Sequence, residues 1–112
     1  MGDDCRGGDD CYTLDEMLLG VLMRALIVKD PWATEIVKGL KPIEYRNRPT
    51  NIRERIGIIK AGTGCVIGEV NLVGCVWMRS KLTYGWHLTM PVEYKRPKPY
   101  KHPRGAQVWV KI

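Results

Sequence analysis

The stretch Cys65–Met78 constrains the fold more than any other part of the chain. Its fourteen residues hold one charge, Glu69, and no proline. Val66, Val70, Leu72 and Val76 fall on alternate positions, opposite Glu69, Asn71 and Trp77. A period of two marks a strand, because successive side chains point to opposite faces. Most strands run only ~5–6 residues, so one this long must coil and carry different neighbours along its two halves. Gly68 and Gly74 lie on the apolar face, where a strand glycine marks a bulge or a close backbone approach. A small β-barrel needs such corners.

The flanking pattern completes an α+β, mainly β architecture of about six strands and one principal helix. Arg24–Lys29 reads as a strand. Asp30 is placed as an N-cap, with Pro31 at the first helical position. The helix runs through Trp32, Ile36 and Val37 until Gly39 ends it. Lys41–Arg46 and Arg55–Ala61 read as strands separated by a polar, basic loop over 47–54. Gly62-Thr63-Gly64 is a hairpin turn, and Tyr84–Lys95 a strand kinked or broken at Pro91. A stiff segment with Pro97, Pro99 and Pro103 then leads to a last strand, Val108–Ile112. At 112 residues this is one domain.

Charge divides the chain in two. Residues 1–22 hold six acids against Arg6, a net −5; residues 23–112 hold seventeen Lys and Arg against six acids, a net +11. The leader is expected to be disordered at first. A short helix then follows, opened by a Thr13–Glu16 capping box and carrying Leu14, Met17, Leu18, Val21 and Leu22 at helical spacing. A body this basic points to a polyanionic partner, most often nucleic acid, against the plainer reading of a surface kept soluble by repulsion. Four scattered cysteines and two isolated histidines give no zinc spacing. No apolar run approaches the ~20 residues of a membrane span. The expectation is a cytoplasmic, monomeric protein without metal, cofactor or membrane attachment.

The segment 39–46 reads G-x-K-x-x-E-x-R. Alternation puts Glu44 and Arg46 on one face of a strand, so the carboxylate can fix the guanidinium fork for a phosphate or a base edge. Lys41 reaches the same space only if the chain bends near Pro42. On pattern alone, a surface ion pair of little energetic worth is an equal alternative.

Together with Pro31-Trp32-Ala33, Arg55-x-Gly57 and Ile58, Ile67-Gly68 before Leu72-Val73-Gly74, and Trp86-His87-Leu88, this motif resembles the ASCH domain family of the PUA-like superfamily. The resemblance runs from Met23 to Ile112. It implies a six-stranded barrel whose cleft holds Lys41, Glu44 and Arg46 and binds RNA or a modified nucleoside. Some bacterial members deacylate N4-acetylcytidine, using the motif Lys, a hydroxyl residue in place of the Glu, and a distant acid. Here Glu44 occupies the hydroxyl position, which favours binding. An amidohydrolase using Lys41 and Glu44, and an adaptor working through the N-terminal helix, are the alternatives.

Aromatic and cationic residues interleave as single-strand binding requires, bases stacking while cations meet phosphates. Trp32, Tyr45, Arg55, Trp86 and His87 join the motif as candidate ligand contacts; Arg48, Arg53, Lys60, Arg79 and Lys81 are candidate phosphate contacts. With no Phe in the chain, aromatic residues must also build the core, and Trp109 is assigned there. His87 reads more naturally as a structural residue than as an acid or base. Lys95–Lys101, with four cations and no acid, is a phosphate track or a solvated loop.

Overall fold

The computed structural model describes residues 23–112; the expected disordered leader and its helix lie outside them. Six strands and one helix follow in the order β1 (Arg24–Val28), α1 (Trp32–Val37), β2 (Ile43–Arg46), β3 (Arg55–Lys60), β4 (Cys65–Met78), β5 (Thr83–Pro99) and β6 (Trp109–Lys111). They form one sheet ordered β2-β5-β4-β3-β1-β6. β4 is the expected fourteen-residue strand, pairing with β3 along its first half and with β5 along most of its length. Its register against β5 shifts at three places, one leading into each of Gly68 and Gly74.

Gly68 is where β4 must be bare. A β-carbon there would overlap the Val92 carbonyl oxygen of β5 and come within 2.6 Å of Val37 Cγ1 on the helix. Gly74 differs, with His87 Cβ at an ordinary 3.7 Å. The helix packs over this bare stretch, and Ile36, Val37 and Ala33 join Leu26, Val28, Ile56, Ile58, Val70, Leu72, Trp86 and Leu88 in the main core. Each buried aliphatic side chain contributes ~1.5–3 kcal/mol.

Helix α1 ends as expected. Gly39 has φ +81°, its N–H donates to Ile36 O, and Leu40 N–H donates to Glu35 O. These two bonds make a Schellman cap. At the other end the expected cap is corrected by one residue: Pro31, not Asp30, takes the cap position, and Asp30, one residue further out, accepts from Thr34 N–H and Thr34 Oγ1. That bond to the Thr34 hydroxyl is the largest influence holding the Asp30 carboxyl below its usual range.

Three features of the sheet differ from expectation. β1 pairs with β3 in parallel, since the helix and β2 together form a crossover between them. β5 does not stop at Pro91 but continues to Pro99; beyond His87 its outer edge carries no β2 partner, so prolines cost no ladder bonds there. The sheet curls without closing, and no ladder joins β2 to β6 among the described residues. The cleft described below lies along that open seam.

A polar network spans β3, β4 and the kinked part of β5. Arg55 donates to the Glu69 carboxylate, to Asn71 Oδ1 and to Met90 O, while Tyr94 OH donates to Glu69 Oε1 at 2.8 Å. Burial and the bond to Glu69 push the Tyr94 hydroxyl up to about 12. Burial also works to raise Glu69, but hydrogen bonds from Arg55 and Tyr94 outweigh it and hold the carboxyl below its usual range. Neutral Tyr94 therefore contributes stability that is complete below pH 10 and lost as pH rises toward 12. Charged Glu69 contributes stability present above its ordinary value of 4.5 and lost as pH falls through the lower folded value. Tyr94→Phe should cost ~1 kcal/mol near neutrality and remove this residue's share of the alkaline decline. Urea melts at pH 7, 9 and 10.5 check both effects.

Candidate functional site

The seam between β2 and the C-terminal end of β1 opens into a cleft of about 590 Å³, within the ~300–1,000 Å³ range of small-molecule sites. β2 supplies Glu44, Tyr45 and Arg46, with Lys41 just before it and Asn47 just after. The opposite wall is Ile27 and Lys29 of the β1 end, Trp32 at the helix start, Ala61 after β3, and Gln107.

Glu44 and Arg46 occupy the inward face of β2 because the strand alternates. Glu44 is 7% exposed and is the buried charged residue among those described. Its Oε2 accepts from Arg46 Nε at 3.0 Å. Arg46 Nη2 donates across the seam to Ile27 O at 2.9 Å, and the guanidinium carbon lies 5.7 Å from the Trp86 ring. Held at three points, Arg46 has one orientation. β2 begins only at Ile43, so the chain is free to turn at Pro42, and Lys41 comes round to Glu44. Its Nζ stands 3.9 Å from Glu44 Oε1 and 4.8 Å from the Tyr45 ring centre. Oε1 accepts no hydrogen bond among the described residues, leaving a carboxylate oxygen at the cleft with an unused lone pair.

The other candidate contacts divide. Trp32 lines the cleft and is 48% exposed, a free aromatic face. Trp86 is corrected to a core residue: 3% exposed, it stacks on Trp109 at 5.9 Å and donates Nε1–H to Arg48 O. Alternation along β5 points Trp86 inward with Leu88, and His87 therefore faces the other way, outside the cleft. His87 Nε2 is buried and has no hydrogen-bond partner among the described residues. Arg55 is corrected too, its guanidinium being consumed by Glu69, Asn71 and Met90 O.

Among the phosphate candidates, Arg53 donates to Thr50 O and Ile52 O and so braces its own loop. Lys60 pairs with Asp30 at 3.3 Å. Arg48, Arg79 and Lys81 are exposed, and Lys81 Nζ lies 5.0 Å from the Tyr45 ring centre. Sequence reasoning missed Lys29, Asn47 and Gln107. Lys29 sits where a strand ends beside the helix start, a signal that was available; Gln107 is brought in by the β6 pairing and had none.

Three charged groups, Lys29, Lys41 and Arg46, stand against Glu44 in the lining, so the cleft carries net positive charge. Among the described residues Tyr45 is the one that brings a hydroxyl-bearing side chain to the lining, which includes no described Ser, Thr or Cys. No group of three or more potential metal ligands occurs among the described residues, and no described helix is long and apolar enough to cross a membrane.

Structures of an ASCH protein from Zymomonas mobilis share this fold. A tyrosine-to-phenylalanine mutant of it superposes with a TM-score of 0.59 at 17% identity, covering 80% of this chain and 89% of its own. A serine-to-alanine mutant and the parent protein give 0.62 and 0.60, each at 16% identity over 80% of this chain and 87% of theirs. At such identities the likeness speaks for the fold alone. No curated protein matches the sequence. The family description "ASCH domain" matches residues 26–102, which takes in the helix, the whole G-x-K-x-x-E-x-R segment and β2 to β5. The chain belongs to the ASCH domain family.

Proposed function

We propose that the cleft binds a nucleobase, presented by RNA or by a modified nucleoside. The observation that carries this reading is Glu44: a buried carboxylate, oriented by Arg46 and flanked by Lys41, with Oε1 open to the cleft. An acceptor fixed in this way suits the N–H edge of a base, and hydrogen bonds to charged groups are the stronger kind. Trp32 offers a stacking face worth ~1–3 kcal/mol per base. Asn47 and Gln107 bring amides able to donate and accept on a base edge.

The test is a calorimetric screen of the full chain against the ribonucleosides and N4-acetylcytidine, with product analysis of the acetylated one. Binding without release of free cytidine is expected. Release of cytidine would favour the amidohydrolase reading instead. Absence of binding by every nucleoside would count against base recognition. For single-stranded RNA, log affinity should fall linearly with log salt, with a slope of ~−0.7 per phosphate neutralised; a flat response would remove phosphate contact as a main source of affinity.

A further inference from the structure

The positive surface does not end at the cleft. Thr83 Oγ1 donates to Arg46 O at 2.6 Å, and Tyr84 pairs with Arg46 across the ladder. Together they pin the β4–β5 hairpin beside the C-terminal end of β2, where Tyr45 forms the cleft lip. The hairpin tip carries Arg79 and Lys81, both exposed. Lys81 Nζ lies 5.0 Å from the Tyr45 ring centre, and Lys41 Nζ lies 4.8 Å from the same centre. Two ammonium groups thus converge on one half-exposed ring, one from inside the cleft and one from outside it.

Nothing on the hairpin neutralises them. Residues 70–92 contain no Asp or Glu, nor do residues 45–53, which hold Arg48. Among the described residues neither Arg48, Arg79 nor Lys81 forms an ion pair. Like charges gathered in one place repel each other, and an anion set among them relieves the repulsion. A free nucleoside has no charge to offer here.

Resting on the base-binding reading of the cleft, we infer that its ligand is one nucleotide of a phosphodiester-linked single strand, whose neighbouring phosphates pass over Tyr45 to Lys81 and Arg79. Base recognition belongs to Glu44 inside the cleft; chain recognition belongs to the hairpin. The two can therefore be lost separately. Lys81 and Arg79 sit at an exposed tip away from the core, so replacing them leaves the fold intact.

The experiment titrates the full chain, and its Arg79→Ala/Lys81→Ala variant, with four kinds of probe: ribonucleosides, their 5′-monophosphates, and a mixed-sequence hexanucleotide as RNA and as DNA. The hexanucleotide should bind the parent at least about tenfold tighter than any nucleoside at low salt. The double variant should lose about tenfold for the hexanucleotide, flatten its salt slope by ~1.4 for two phosphates, and keep nucleoside affinity within twofold. The RNA and DNA arms tell which backbone supplies the phosphates; a monophosphate that binds as tightly as the hexanucleotide overturns the strand. So does hexanucleotide binding that ignores the double substitution. If the hexanucleotide depends on Arg79 and Lys81 but no nucleoside binds, the strand path stands and base recognition in the cleft falls. If no probe binds, both fall.

Discussion

Glu44→Ala is expected to lower affinity for the base about 10- to 100-fold, because a hydrogen bond to a charged group contributes ~1.5–3 kcal/mol. The loss has two sources. The acceptor at Oε1 disappears, and Arg46 is released from its 3.0 Å bond, so the guanidinium no longer has a single orientation. Removing the acid also leaves two part-buried cations facing each other, which bears on stability as well as binding. Glu44→Gln separates these effects, since the amide keeps the shape and an oxygen for Arg46 while exchanging an acceptor for a donor at the cleft. A Gln variant that melts like the parent yet binds no base places the effect in recognition. Both variants binding like the parent would show that Glu44 does not face the ligand.

Gly68→Ala is expected to be the most destabilising small substitution in the domain, at ~3 kcal/mol. The added methyl would enter the Val92 carbonyl on one side and Val37 on the other. Backbone cannot swing aside as a side chain can, so the helix must lift or the β4–β5 ladder must part. For a domain this size the melting temperature should fall by about 12–24 °C. Gly74→Ala, with 3.7 Å of room before His87 Cβ, should cost under ~1 kcal/mol. Thermal melts of the two variants read the contrast directly. Equal melting temperatures would mean that β4 tolerates a side chain at the helix crossing.

What could be read from the chain, and what could not, follows the range of the interactions concerned. Alternation revealed β4 and placed Glu44 beside Arg46, because both depend on residues two apart. The glycine stop at Gly39 depends on a six-residue cap, Glu35 to Leu40, and was equally plain. Arg55 was misread because its partner Glu69 is fourteen residues away and becomes a neighbour only through the β3–β4 register. Trp86 was misread for a related reason. Alternation says that Trp86 and His87 face opposite ways, but not which of them meets the core, and Trp109 on β6 decides that by stacking. The parallel β1–β3 pairing and the open seam are properties of the whole sheet, and no local pattern encodes them.

The central claim, that the seam holds a base, is tested most directly by titrating the isotopically labelled full chain with ribonucleosides and following backbone amide shifts by NMR. The account predicts saturable changes concentrated at Lys29, Trp32, Lys41, Glu44, Asn47 and Gln107, with Arg55 and Tyr94 unmoved. Changes centred instead on the basic stretch Lys95–Lys101, or no saturable change with any nucleoside, would contradict it.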